Sequence, residues 1–272
     1  MRTAYLGTSE FAAVVLRRLT ESPHRPALVV TPPDRRRGRG RKLSSPPAAE
    51  TARELGLALH QTASVNEPGS VQALRAADPR AVGVCAFGQL ISEPLLSELI
   101  MLNVHPSLIP RWRGAAPIER AIMAGDDYRS LSARLAALGG ELLVRSLDRL
   151  EAGELEFTDQ EEEQASYAAK IAPEERRLDP SRPAAELERI VRALTPHIGA
   201  FLELEGGGRL GVRAGRAVEN GPGPGEIEPR DGELVLGCSE GALLLERVQA
   251  PGGKAMSAPD FLRGHPTPGR AV

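Results

Sequence analysis

The chain is predicted to fold as an open, doubly wound (Rossmann-like) parallel α/β sheet followed by a small OB-like β-barrel. In its first half, continuous apolar runs alternate with amphipathic stretches, the pattern of parallel strands covered by helices on both faces. Beyond residue 200 the texture changes to short apolar runs cut by glycines, the spacing of a small antiparallel barrel. Between the two lies an acidic, polar stretch that suits a solvated linker. The expected organisation is therefore a first domain over 1–150, a linker over 151–165 and a second domain over 166–272.

The elements follow in order. Residues 3–6 read as the first strand, and the turn at Gly7, Thr8 and Ser9 enters a helix over 11–19 with Ser or Thr as N-cap. That turn lacks the G-x-G-x-x-G spacing of a dinucleotide site, so no nicotinamide cofactor is expected. Residues 27–30 and 81–86 read as further strands, and 48–55 and 94–100 as amphipathic segments. Leu131, Leu135, Leu138, Leu142, Leu143, Leu147 and Leu150 recur at helical spacing, which predicts one long helix despite Gly139 and Gly140. After a helix over 184–194, apolar runs at 201–204, 210–212, 233–236 and 242–245 supply the barrel.

Composition bounds the function. With 272 residues, 41% of them hydrophobic, the chain can bury a proper core, and its 3% aromatic content leaves that core to aliphatic packing. A net charge of −2 gives no global pull toward nucleic acid, so any such site must be a local patch. Cys85 and Cys238 stand far apart, which excludes a disulfide framework and a zinc ribbon. The five histidines show no metal-ligand spacing, and no serine sits in a G-x-S-x-G elbow. Residues 1–20 lack the pattern of a signal peptide, and no stretch approaches the ~20 apolar residues that cross a bilayer. A soluble, cytoplasmic monomer is expected, with no membrane partner.

The most informative stretch runs from Met101 to Ile118. If residues 102–105 end a strand, Asn103 and His105 stand at i and i+2, on one face at the strand's carboxyl edge, where open α/β sheets bind ligands. An amide beside an imidazole suits acyl transfer: the amide binds a carbonyl oxygen as charge develops, and the histidine stabilises or relays protons. The alternative is that Asn103 satisfies a turn and His105 is a polar strand-end residue. Arg35, Arg36, Arg37, Arg39, Arg41 and Lys42, with Gly38 and Gly40 between them and no aromatic residue, read either as a phosphate-tracking loop or as a solvated charge run. Trp112 is either a rim residue of the site or part of the packing.

The run Asn103-Val-His-Pro-Ser-Leu-Ile-Pro-Arg-Trp-Arg-Gly-Ala-Ala-Pro-Ile118 resembles the active-site segment of the 10-formyltetrahydrofolate-dependent formyltransferases, within them the methionyl-tRNA formyltransferase family. The basic stretch Val30 to Lys42, the segment Ala86-Phe-Gly-Gln89 and the motif Gln249 to Leu262 are similar to that family's basic loop, pterin-side loop and C-terminal motif. The resemblance implies formyl transfer from 10-formyltetrahydrofolate, as cosubstrate, to the methionine amine of initiator methionyl-tRNA, with no metal. It assigns Asn103 and His105 as catalytic. Ala86, Phe87, Gly88 and Gln89 with Ser107, Leu108, Ile109 and Pro110 are assigned to folate, and Arg35, Arg36, Arg37, Arg39, Arg41 and Lys42 to tRNA. The second domain is assigned to holding tRNA.

One part of the family pattern is missing. A later segment of the type Gly-Val-Thr-Ile-Met-…-Gly-Leu-Asp-Thr-Gly, which carries the family's catalytic aspartate, has no counterpart here. The sequence passes from the turn Met123-Ala-Gly-Asp-Asp127 straight to the long helix. Asp126 and Asp127 match the turn rather than the acid. The departure leaves three readings: an impaired tRNA formyltransferase, another folate-dependent formyltransferase or formyl-folate hydrolase, and a non-catalytic tRNA or folate binder.

Overall fold

A computed structural model describes residues 1–37, 42–122 and 128–272. The chain divides into two compact units, Met1–Ile109 with Ser132–Glu163, and Pro110–Leu131 with Gln164–Val272.

The first unit begins with β1 (Thr3–Gly7), α1 (Glu10–Thr20), β2 (Pro26–Thr31), β3 (Arg35–Arg37), β4 (Lys42–Ser44) and α2 (Pro47–Glu54). It continues with β5 (Leu59–Gln61), α3 (Pro68–Ala77), β6 (Ala81–Cys85), α4 (Leu95–Glu98) and β7 (Met101–Val104). Five strands pair in parallel in the order β5-β2-β1-β6-β7, so β1 lies at the centre and β7 at an edge. The order reverses between β1 and β6, the switch point at which such sheets open a crevice. On one face, Ala4, Leu6, Leu28, Val30, Val82 and Val84 pack with Leu74 of α3 and with Phe87 and Leu95. The central strands are buried along their length, which is why they read as continuous apolar runs.

On the other face α1 buries Phe11, Val15, Leu16 and Leu19, and Ser9 caps it by accepting the Ala12 N–H. The chain later returns in α6 (Tyr128–Ala152), which buries Leu143 and Leu147. The two glycines of this helix have a packing reason. A Cβ on Gly140 would stand 3.0 Å from Arg18 Cβ, and one on Gly139 would stand 2.6 Å from Val104 Cγ1. Small residues there let α6 lie close to both α1 and β7. Farther along, His24 Nε2 and Asp148 Oδ1 lie 2.8 Å apart and tie α6 to the loop before β2.

Tyr5 fills the middle of this face, its hydroxyl donating to the Ala12 carbonyl at 2.7 Å. Burial raises its pKa, with Cys85 adding to the shift. Burial likewise pushes the Cys85 thiol up to about 12 and the Cys238 thiol up to about 11. The contribution of each buried neutral thiol to stability is therefore complete below the ordinary thiol range and is lost as the pH climbs through these values. Neither cysteine should react with an aromatic disulfide reagent in the native protein at pH 8, and both should react after denaturation. Rapid native labelling would show that burial does not protect them.

The second unit holds β8 (Arg113–Gly114), α5 (Pro117–Ala121), β9 (Tyr167–Ala168), α7 (Ala184–Leu194), β10 (Ala200–Glu203), β11 (Arg209–Val218) and β12 (Ile227–Arg230). β13 (Glu233–Gly237), β14 (Ala242–Gln249), β15 (Met256–Ser257) and α8 (Ala258–Gly264) complete it. Its antiparallel sheet runs β10-β11-β14-β13-β12, with β15 on β14. The last residues join its two edges: Ala271 bridges Leu204 beyond β10, and Arg270 bridges Glu226 just before β12. Leu187, Val191 and Leu194 of α7 and Phe261 of α8 share one core with Leu202, Leu210, Leu234 and Leu245 of the strands.

The structure departs from the sequence reading in several places. Residues 110–131, expected within a continuous 1–150 domain, group with the second unit. The cause is local bonding: β8 pairs with β9, Arg120 makes a two-pronged contact with Glu175, and His197 lies 2.9 Å from Glu119. The expected linker over 151–165 starts inside α6, which runs to Ala152, and its acidic residues are exposed. The helix expected over 94–100 is a single turn, and β5, α3, β12 and α8 were not anticipated. The basic run is not simply a loop, because Arg35–Arg37 and Lys42–Ser44 pair as the arms of a hairpin. Arg39 and Arg41, like Asp126 and Asp127, lie outside the described residues. No helix among the described residues is long and apolar enough to cross a membrane.

Candidate functional site

Three strand ends and their following loops gather the predicted residues of the first unit. Asn103 is exposed on β7 opposite Val84, and His105 is the first half-buried side chain past the strand. Ser107 Oγ lies 2.8 Å from His105 Nδ1. The contact holds the imidazole in one orientation: with Nδ1 as acceptor the ring proton sits on Nε2, and with Nδ1 as donor Nε2 is left to accept a proton. The sequence reading placed Ser107 with folate and gave it no part in orienting the histidine.

The loop after β6 lies beside this edge, since Cys85 is paired with Val104. It turns through two left-handed residues, Ala86 (φ 43°) and Gly88 (φ 75°). A glycine adopts such a φ freely, while an alanine pays in strain. Ala86→Gly should therefore raise stability by about 1 kcal/mol in urea denaturation. A loss of stability would mean that the left-handed alanine is not strained. Phe87 is buried in the core, so it shapes the loop rather than meeting solvent. The Gln89 amide is occupied: Oε1 accepts from Val65 N at 2.7 Å and Nε2 donates to the Thr62 carbonyl at 3.1 Å. Asn66 anchors the far side through the Leu90 carbonyl and the Ser92 N–H. Thr8 fixes the near side, its hydroxyl donating to the Phe87 carbonyl at 2.7 Å. Thr8 follows β1, and Thr62 and Asn66 lie in the loop after β5; they were missed as supports because both segments are remote in sequence from the Ala86–Gln89 loop.

Leu108 is 90% exposed and Ile109 is exposed beside it. Pro110 belongs to the second unit, where its carbonyl accepts the Ser166 N–H at 3.2 Å. Trp112, also there, is left-handed (φ 60°) and donates its backbone N–H to Ser166 Oγ at 2.9 Å. Arg35 and Arg36 are exposed on β3, and Arg37 and Lys42 end the described hairpin arms. The second unit has a larger cavity, of about 630 Å³, but Arg120–Glu175 and Arg182–Glu186 ion pairs occupy its lining. Among the described residues no group of three or more His, Cys, Asp or Glu could hold a metal ion.

The fold and this edge together define a two-domain α/β enzyme with its polar groups at the carboxyl end of a parallel sheet. Residues 1–139 match the family described as formyl transferase, and residues 170–266 match the formyl transferase C-terminal domain. The chain belongs to the formyl transferase family. The methionyl-tRNA formyltransferase of Methylococcus capsulatus is 38% identical over 307 positions that cover 100% of this chain and 99% of that protein. That of Sinorhizobium medicae is 38% identical over 303, covering 98% and 97%. Among solved structures, a variant of HypX from Aquifex aeolicus superposes with a TM-score of 0.68 at 17% identity, covering 97% of this chain and 50% of that one. HypX in complex with tetrahydrofolic acid gives 0.61 at 16% identity, covering 97% and 48%. The chain thus spans about half the length of HypX and nearly all of the two bacterial relatives. Because the 307 aligned positions exceed the chain's 272 residues by 35 while both proteins are covered end to end, the shortfall is internal.

Proposed function

We propose that the chain is built to transfer a formyl group from 10-formyltetrahydrofolate to the α-amino group of methionine on initiator methionyl-tRNA. The observation that carries this reading is the cluster of Asn103, His105 and Ser107 beside the left-handed Ala86–Gly88 loop at the carboxyl edge of the sheet. The amine nitrogen attacks the formyl carbon, the new C–N bond forms, and the bond from that carbon to the folate nitrogen breaks while a proton passes from the amine to the leaving nitrogen. Asn103 and the Nε2 proton of His105 are the donors for the oxyanion between these steps. Leu108 and Ile109 supply an apolar rest for the folate ring, and Ala86 and Gly88 offer backbone close to it.

Two basic features support tRNA as the acceptor. The first is the Arg35–Ser44 hairpin. The second is a group on the second unit, where Phe201 has the guanidinium of Arg209 4.2 Å from its ring centroid and that of Arg176 5.9 Å away. Arg213 is held by Gln249, and burial, with neighbouring Arg176 adding to it, lowers its pKa. The second feature favours the assignment of the second unit to holding tRNA, and the hairpin adds a tRNA contact from the first. The test is salt dependence. Arg39→Glu with Arg41→Glu should weaken tRNA binding and flatten the log–log slope by about 0.7 to 0.9 per lost phosphate contact. An unchanged slope would remove the hairpin from the interface.

A second reading, a tRNA and folate binder without turnover, is favoured by the β7 edge. Among the described residues β7 pairs with β6 alone, and Leu138 and Leu142 of α6 are 50% and 47% exposed. The β7 edge and the exposed leucines of α6 suit the packing of the segment that the family pattern adds between Asp127 and Tyr128.

A further inference from the structure

We propose that Arg53, Gln61, Asp34 and Ser45 form a clamp that fixes the direction of the basic hairpin and so positions its cations for tRNA, an inference that rests on the function proposed above. Asp34 stands immediately before β3 and Ser45 immediately after β4, and Arg35 pairs with Ser44, so these two residues are the feet of the hairpin. Arg53, in the last turn of α2, reaches both feet: Nη1 donates to Ser45 Oγ at 2.8 Å, and Nη2 lies 3.6 Å from Asp34 Oδ1. Gln61, at the end of β5, closes the ring. Its Oε1 accepts from Arg53 Nη2 at 2.7 Å, and its Nε2 donates to Asp34 Oδ1 at 2.8 Å and to the Pro32 carbonyl at 3.0 Å. Hydrogen bonds from Gln61 and then Ser45, with the Arg53 charge adding to them, hold the Asp34 carboxyl below the usual carboxylate range.

The hairpin needs such a support. Among the described residues β3 and β4 pair only with each other, and Leu43, the one apolar side chain of the two strands, is 67% exposed. A two-stranded ribbon without a buried face is marginal in water, so its direction is set where it leaves the body of the unit. The clamp acts at that point, because α2 and β5 belong to the packed part: Ala48, Ala49 and Ala52 of α2 are buried, and β5 pairs with β2. Arg53 is thus a cation of the basic region that works through its partners. Its charge is matched by Asp34, and its fork of donors is shared between Ser45 and Gln61. Arg35, Arg36 and Arg37 stand beyond the feet, on the strand itself. Holding the hairpin in one direction lowers the ordering cost of taking up tRNA, so affinity rises with no added phosphate contact.

Equilibrium binding of initiator tRNA to the whole chain would be followed over a series of salt concentrations in the parent, Asp34→Ala, Gln61→Ala and Arg53→Ala. Each variant is expected to bind about tenfold more weakly at a given salt concentration, with the log–log slope of the parent. Asp34→Ala is the sharpest test, since removing an acid beside a phosphate-binding hairpin tightens binding by charge alone. Binding by Asp34→Ala as tight as the parent's, or tighter, would overturn the proposal. In Arg53→Ala, a slope flattened by about 0.7 to 0.9 would make Arg53 a phosphate contact and remove it from the clamp. Hydrogen exchange separates a local effect from loss of overall stability. The amides of residues 35–37 and 42–44 should exchange about tenfold faster in Asp34→Ala and Gln61→Ala, while those of β1 keep the parent's rates. Unchanged exchange in the hairpin, or an equal acceleration in β1, would reject the clamp. If the parent binds no tRNA, the tRNA reading itself fails, and the exchange result alone decides whether the four side chains hold the hairpin.

Discussion

Inserting a family-like segment of about 35 residues between Asp127 and Tyr128 is expected to raise single-turnover formyl transfer by about 10²- to 10⁴-fold, the range spanned by a positioned proton-transfer group. Two physical losses in the present chain motivate this result. The family's aspartate is the group expected to help move protons off the attacking amine, and His105 holds Ser107 Oγ at Nδ1. Among the described residues β7 is an edge with pairing on one side, and Leu138 and Leu142 are exposed. Unpaired strand edges and apolar stripes promote association, so the insertion should also reduce self-association in light scattering and raise the unfolding midpoint. The assay would use formyl-folate and charged initiator tRNA with both chains. Comparable rates would defeat the argument from the missing acid and return Asp126 and Asp127 as candidates for its role.

In the restored chain, Asn103→Ala should lower formyl transfer by about 10²- to 10³-fold, the usual cost of removing one oxyanion donor, with folate affinity nearly unchanged. Asn103 is exposed on an edge strand and has no part in the core, so its truncation should leave the unfolding midpoint close to that of the parent. Equal rates for variant and parent would exclude Asn103 from the chemistry. A fall in folate affinity of the same size would make it a binding residue instead.

Much of this was legible along the chain because the signals are local. β1, β2 and β6 are buried on both faces, so their apolar runs are unbroken. The leucines of α6 kept helical spacing through Gly139 and Gly140, and Ser9 capped α1 where a capping residue was expected. Asn103, His105 and the Ser107 run were recognisable because they sit within eight consecutive residues, 103–110. β5, three half-buried residues whose partner is β2, carries too short a pattern to read alone.

The sequence by itself thus determined the alternating α/β order, the strand-end pair and the absence of a family segment, all of which are written in contiguous residues. Tertiary structure alone decided that residues 110–131 pack with the second unit, since pairing with Tyr167–Ala168 and the Arg120–Glu175 contact join positions about fifty residues apart. It alone decided that Ser107 orients His105, that Gln89 is spent on Val65 and Thr62, and that Arg53 and Gln61 join the feet of the basic hairpin. Parallel strands are joined by long crossovers, so the residues that meet at one sheet edge are distant in the chain, and no local pattern records their meeting.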